Sequence, residues 1–257
     1  MGRSTILIVE DNDELKSFLS LCLEGDYELF LAADGAEGLQ KAFENIPELI
    51  ITDVAMPLMD GHEFCRIVKN DERTSHIPVI MLTAKVELEE QVTGIESGAD
   101  LYLTKPFSIK LLQSYIKNLL KTKEQIRHYY TQKVLLEPLD VDLGNVDRKF
   151  MERLMNIINA NLGNADFHIH DLARAMNMST AVLYKKFNAL SQVSIGEFIK
   201  SLRLKRAAFL LIEPGALNIS EIAWAVGFSD RKYFSKEFKK AFGCTPSAYV
   251  EKTADRD

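Results

Sequence analysis

Cysteine is scarce in this chain: three in 257 residues, at positions 22, 65 and 244, with no Cys-x-x-Cys pair. That scarcity excludes a disulfide-stapled fold and a cysteine zinc site, and leaves buried thiols of a reducing compartment. Histidine is no richer. Of five, His168 and His170 alternate in FHIH without other ligand types beside them, which argues against a metal site there. Long apolar runs are missing as well; none approaches the roughly 20 residues that a bilayer span requires. Met1-Gly2-Arg3-Ser4 leads directly into the short apolar run Thr5–Val9, which is not the pattern of a signal peptide.

What is present is a 47% hydrophobic chain, long enough for one large domain or two ordinary ones. Its net charge of −6 conceals an asymmetry. Residues 1–122 carry 11 Lys/Arg against 21 Asp/Glu, a net of −10, while the remainder holds 20 basic and 16 acidic residues, a net of +4. An acidic half joined to a basic half suggests two domains, the second meeting a polyanion.

In the first half, apolar runs alternate with helix-period segments. The runs are Thr5–Val9, Tyr27–Ala32, Leu49–Thr52, Pro78–Leu82 and Ala99–Leu103. Between them, Leu15, Phe18, Leu19 and Leu23 recur at helical spacing, as do Phe64, Ile67 and Val68. Several runs are apolar throughout, which suits strands covered on both faces. The expected fold is a (βα)5 doubly wound parallel sheet.

Ligands of such sheets gather beyond the carboxyl ends of the strands. The first strand ends in Glu10-Asp11, the third in Asp53, the fourth in Thr83 and the fifth in Lys105. Any one of these suits a helix cap or a solvated side chain; all of them, in strand order, suit a common site. Three carboxylates would bind a hard cation such as Mg²⁺. With Lys105 it would neutralise a phosphoryl group arriving on an Asp side chain. Asp53, alone on the central strand, is the natural acceptor, and Thr83 would donate a hydrogen bond to a phosphoryl oxygen. The stretch IVEDND then reads as a metal pocket, with Asp13 as the cap of the following helix.

The motifs IVEDN, ITDVAMPLMDG, MLTAK and YLTKPF make residues 4–122 resemble the receiver domain of two-component response regulators. The resemblance implies that Asp53 is phosphorylated by a histidine kinase and that Glu10, Asp11 and Asp53 hold Mg²⁺, together with the Ala55 carbonyl. It also implies a cis Lys105-Pro106 peptide and makes Tyr102 the aromatic that swings inward as Thr83 moves. Hydrolysis would be limited to slow self-dephosphorylation, tuned by Ala55 and Lys85, so the chain is not expected to be an enzyme.

Leu111, Leu112, Tyr115, Ile116, Leu119 and Leu120 predict a final amphipathic helix, which the polar run 121–125 prolongs towards Tyr130. Pro138 and Gly144 break the pattern. The expected domains are a receiver over 1–122, a helical extension and linker over 123–147, and an all-α domain over 148–257.

That second half holds two similar segments. Ile169–Met176 leads through Asn177-Met178 into Ser179–Phe187, and Ile219–Val226 leads through Gly227-Phe228 into Ser229–Phe238. In each, Ala173 or Ala223 lets two helices approach and Ser179 or Ser229 is placed to cap the second, the pattern of a helix-turn-helix. Leu183 with Phe187, and Phe234 with Phe238, point inward. That turns Ala181, Tyr184 and Lys185 outward in the first unit and Arg231, Lys232, Ser235 and Lys236 outward in the second, where Arg and Lys can bond guanine edges. Met151, Met155, Met176, Trp224 and Phe228 read as core.

Residues 149–250 resemble the AraC/XylS transcription regulators, most specifically in GFSDRKYFSKEFKK followed by TPSAY. The resemblance implies two units joined by a long helix near Ile195–Leu211, reading major-groove segments about one turn, roughly 10 base pairs, apart. Arg203, Lys205 and Arg206 on that helix would pack and pair more than touch phosphates. Together the two resemblances imply a phosphorylation-controlled transcription regulator. Its partners are a histidine kinase, double-stranded DNA, a second copy once phosphorylated, and RNA polymerase. Dimerisation would run through the face of the fifth strand and the helices on either side of it. The other readings are a phosphorelay module that never touches DNA, and the receiver end of a membrane-anchored hybrid sensor kinase. The expected location is the cytoplasm, or the cytoplasmic part of such a sensor.

Overall fold

The computed structural model describes residues 3–84, 98–134, 144–213 and 218–254. The chain divides into two compact units, one reaching Gln132 and the other built from Lys149 onward.

The first unit is a five-stranded parallel sheet. Its strands are β1 (Thr5–Val9), β2 (Glu28–Ala32), β3 (Leu49–Asp53), β4 (Val79–Thr83) and β5 (Leu101–Thr104), in the order β2-β1-β3-β4-β5. The strands β3 and β4 are buried along their whole length, as runs without polar alternation require when helices cover both faces. The helices are α1 (Asp13–Leu23), α2 (Gly35–Asn45), α3 (Gly61–Asn70) and α4 (Ile109–Val134). One core face gathers Ile6, Ile8, Leu19, Leu23, Ile51, Ile80, Leu82, Leu112 and Ile116, all fully buried. Each such side chain contributes about 1.5–3 kcal/mol relative to exposure. Phe18 departs from the expected stripe and lies half exposed, because Leu15, Leu19 and Leu23 already fill the inward face of α1.

Asn12, not Asp13, caps α1: its side chain accepts from the Leu15 backbone N–H at 2.9 Å. Asp13 is the first helical residue and pairs with Lys16 at 2.8 Å. Asp34 and Asp60 cap α2 and α3 in the same way. Each cap stands just beyond a strand or its loop, so the helix starts gather near the carboxyl edge of the sheet. The α4 helix continues through the polar run to Val134, well past the apolar stripe.

The second unit is helical: α5 (Asn145–Ala160), α6 (Ile169–Ala175), α7 (Thr180–Leu190), α8 (Ile195–Ile212), α9 (Ile219–Ala225), α10 (Arg231–Phe242) and α11 (Pro246–Ala254). The pairs α6–α7 and α9–α10 share a turn bond for bond. Met178 N–H donates to Ala173 O and Phe228 N–H to Ala223 O, both at 2.9 Å. The residue before each donor is left-handed: Asn177 at φ 56° and Gly227 at φ 82°. Asn and Gly are the two residues that adopt this conformation most readily.

After the turn the units differ by one residue. Ser179 caps α7 by accepting from Val182 N–H, but Asp230, not Ser229, caps α10 by accepting from Tyr233 N–H at 2.5 Å. The extra residue shifts α10 by one position relative to α7. Leu183 and Phe187 therefore correspond to Phe234 and Phe238, all four fully buried.

Trp224 corrects the expected core. It is 59% exposed, because Ile222, Ala223 and Val226 form the inward face of α9 and leave Trp224 on the outer side. Met151, Met176 and Phe228 are buried and Met155 is half-buried. No helix among the described residues is long and apolar enough to cross a membrane, and all three cysteines are free.

Candidate functional sites: an acidic pocket and a pair of reading helices

The order reversal between β1 and β3 opens a crevice at the carboxyl edge of the sheet, where an open α/β fold binds its ligands. The register sets Val9 beside Thr52 and Asp53 beside Leu82, so Glu10, Asp11 and Asp53 leave adjacent strands together. Carboxylate oxygens of these three lie within 4.8 Å of one another. Glu10 and Asp53 are buried and Asp11 is exposed.

Lys105 closes the group. Its ammonium lies 3.1 Å from Glu10 Oε2 and 2.9 Å from Asp53 Oδ2. It follows Thr104, whose strand partner is Thr83, and its N–H donates to Thr83 O at 2.7 Å. The Lys105-Pro106 peptide is cis. Asp53 Oδ1 accepts from Val54 N–H at 2.8 Å, which leaves Oδ2 towards Lys105. Thr83 is buried at the end of β4. Ala55 is exposed two residues beyond Asp53. Tyr102 is half-buried, its ring centroid 6.2 Å from that of His62. Lys85 and the segment 85–97, where the helix after the fourth strand was expected, lie outside the described residues.

Two contributors carry no sequence signal of their own. Lys16 donates from Nζ to the Glu10 carbonyl at 3.1 Å. A Cβ at Gly61 would stand 2.2 Å from the Asp53 carbonyl, so only glycine lets α3 begin against the back of Asp53.

Burial pushes the Glu10 carboxyl above its ordinary pKa, the Asp53 charge adds to this, and the Lys105 hydrogen bond partly offsets both. Three clustered oxygens with one desolvated carboxylate are the donor set of a hard divalent cation, and Mg²⁺ fits it. The sign of the pH effect follows from the raised value. The proton's contribution to stability is present below the ordinary carboxylate range and lost as pH rises through the raised Glu10 value. A cation competes with that proton. Calorimetric titration is therefore expected to show Mg²⁺ affinity strengthening as pH rises through that interval, with proton release; pH-independent affinity would remove Glu10 from the ligand set.

In the helical unit, Ala181 and Lys185 are exposed and Tyr184 is half-buried on α7. On α10, Arg231, Lys232 and Lys236 are exposed and Ser235 is half-buried. With the one-residue shift, Ala181, Tyr184 and Lys185 match Lys232, Ser235 and Lys236 position for position. The outer face is thus the same surface in both units, but the second carries two cations at these positions, with Arg231 beside them, and the first carries one.

The expected pack-and-pair role of the α8 cations is visible. Arg203 donates from Nη2 to Asn164 O at 2.7 Å. The Arg206 guanidinium lies 5.4 Å from the Phe209 ring centroid. Burial lowers the pKa of Arg203 and Lys205. Lys200 pairs with Glu237 at 2.6 Å, joining α8 to α10, a contact between residues 37 positions apart that no local pattern announces.

Comparison with known proteins agrees with this division. The response regulator receiver domain family matches residues 6–117, and a helix-turn-helix domain family matches residues 172–252. Histidine kinase P4 of Formosa agariphila is 38% identical over 254 residues, covering 99% of this chain and 18% of that protein. RpaA of Synechocystis, a DNA-binding dual master transcriptional regulator, is 38% identical over 47% of this chain and 51% of its own length. PhoP of Bacillus subtilis, an alkaline phosphatase synthesis transcriptional regulatory protein, is 39% identical over 46% of this chain and 49% of its own. The chain thus spans about half of these two regulators and less than a fifth of the kinase. Among solved structures, the receiver domain of a signal transduction histidine kinase from Syntrophus aciditrophicus aligns with TM-score 0.46 and 33% identity, over 55% of this chain and 99% of that one. Receiver and helix-turn-helix together are the composition of a two-component regulator acting on transcription. The chain carries a response regulator receiver domain followed by an AraC-type helix-turn-helix domain.

Proposed function

We propose that this chain is a phosphorylation-controlled, sequence-specific transcription regulator, with Asp53 accepting a phosphoryl group from a histidine kinase. The observation that carries the reading is the Lys105 ammonium placed between Asp53 and Glu10, at 2.9 and 3.1 Å, from a different strand. The proposed domains are a receiver over 1–122, a linker over 123–147 and a DNA-binding domain over 148–257, working in the cytoplasm.

In the proposed step, Asp53 Oδ2 attacks the phosphorus of a phosphohistidine. An O–P bond forms, the P–N bond breaks, and the histidine nitrogen leaves with the electron pair and takes up a proton. Lys105 exchanges its contact with the carboxylate for one with a phosphoryl oxygen, and the Thr83 hydroxyl donates to another. Glu10, Asp11, Asp53 and the Ala55 carbonyl would hold Mg²⁺, which supplies neutralisation of the phosphoryl charge. Tyr102 follows Thr83 inward. Hydrolysis of the acyl phosphate is slow self-dephosphorylation.

The altered β5 face favours a homodimer, which links two DNA-binding modules and raises affinity by effective concentration. RNA polymerase is the proposed recipient of the DNA-bound dimer. Sedimentation of the chain with Mg²⁺ and beryllofluoride is expected to show a dimer where the untreated chain is monomeric; one species under both conditions would remove dimerisation from the mechanism.

The match over 99% of this chain to a histidine kinase supports a second reading, in which the same two domains work as part of a longer, membrane-anchored kinase. The pocket and readers keep their roles there, and the phosphoryl donor lies on the same polypeptide.

A further inference from the structure

The helix α8 joins the two reading units, and a single 18-residue helix spans about 27 Å. If it were the only link, the units could twist and splay about it. Both reading helices pack against α8: Phe187 of α7 lies 5.4 Å from Phe198, ring centroid to centroid, Phe234 and Phe238 of α10 share a buried core with Leu204, Ala207, Ala208 and Leu211, and Glu237 of α10 pairs with Lys200 at 2.6 Å. A further contact bypasses α8 altogether. The turn at residues 161–164, just before the first unit, meets the turn of the second unit at residues 225–227. A Cβ on Gly163 would stand 2.8 Å from Ala225 O, and a Cβ on Gly227 would stand 2.4 Å from Leu162 O. Backbone meets backbone here, with no side chain between to give way.

Arg203 lies where α8, the 161–164 turn and the second unit's turn converge. Its Nη2 donates to Asn164 O at 2.7 Å, and its Cζ lies 2.9 Å from the Cβ position of Gly227. Its Nε is buried without a partner. A buried unpaired donor works against stability, so a merely space-filling role would be better served by an apolar side chain of similar length. The fork instead ties α8 to the 161–164 turn through Asn164 O.

We infer that Arg203 is a positioning residue that sets the distance and angle between the two reading helices, and with them the half-site spacing that the protein accepts. The inference rests on the proposed DNA reading. A rigid pair of readers meets both half-sites only at one helical phase, and inserting one base pair turns the second half-site by about 34°.

The test uses the full chain on duplexes whose two half-sites are separated by the selected spacer, one base pair less, one more and five more. The parent protein is expected to lose at least about tenfold in affinity on either one-base-pair change, as the linked second contact is lost. Arg203→Met keeps the volume and removes the fork; its loss on the same duplexes is expected to fall below about threefold, with its melting temperature unchanged or raised. Arg203→Lys, which can still reach Asn164 O, is expected to restore part of the spacing dependence. Identical spacing profiles for the parent and Arg203→Met overturn the inference, as does a parent indifferent to spacing. A parent that binds no DNA overturns the reading beneath it. In that case the readers' geometry is measured without DNA, by the distance between spin labels at Ala181→Cys and Ser235→Cys after serine replaces the three native cysteines. A narrow distribution that broadens in Arg203→Met supports the positioning role; equal widths reject it.

Discussion

Asp53→Asn is expected to abolish phosphoryl uptake from a small phosphodonor or a phosphorylated kinase domain, with no label retained on the chain. The change is nearly isosteric, so the effect isolates chemistry from packing. The amide nitrogen is not a nucleophile. The amide oxygen can still accept from Val54 N–H, which the carboxylate does at 2.8 Å. What disappears is the charge facing Lys105 at 2.9 Å. With Asp53 neutral, Glu10 loses the neighbour that pushes its pKa up and keeps the Lys105 bond that pulls it down. Glu10 in the variant should therefore ionise at lower pH than in the parent, measurable by NMR titration. Label appearing on Asp53→Asn at the parent's rate would place the acceptor elsewhere.

The second large effect is on DNA. Arg231→Ala should cost about 1–3 kcal/mol of specific binding, roughly 5- to 150-fold, and relax selectivity at one base position. Arg231 is exposed at the first position of α10, where the start of a recognition helix meets base edges. Lys236→Ala should act differently, weakening binding to all sequences and lowering the salt slope by about one unit, as expected of an ammonium that neutralises phosphate. Lys185→Ala in the first unit is expected to cost less than Arg231→Ala, since Ala181 and Tyr184 beside it carry no charge. Fluorescence anisotropy at several salt concentrations separates these outcomes. Equal losses at Lys185 and Arg231 would mean that the two readers contribute alike, against the charge difference between them.

The sheet and both helix pairs were legible in the sequence because their signals are local. Uninterrupted apolar runs mark β3 and β4, and the repeat of Ala173 and Ala223 before a left-handed Asn177 or Gly227 marks the two turns. The residues that gather at the carboxyl edge could be named because strand order alone brings Glu10, Asp53 and Lys105 to one place. What escaped depends on single-residue shifts or on distant contacts. Asn12 and Asp13 are both good caps, and only the backbone decides between them. The extra residue before α10 moved its cap from Ser229 to Asp230. Trp224 was assigned by its type, whereas its angular position on a seven-residue helix places it outside. Arg203 and Asn164 are 39 positions apart, and nothing in the spacing of either announces the other.

The central claim is that the receiver controls a DNA reader. Its most direct test is selection from random duplexes by the full chain, with Mg²⁺ and with or without beryllofluoride at Asp53. The account predicts one two-part site, its halves about one helical turn apart, enriched far more strongly with the mimic than without it. Equal enrichment under both conditions would contradict control by the receiver, and no enrichment under either would contradict the reader itself.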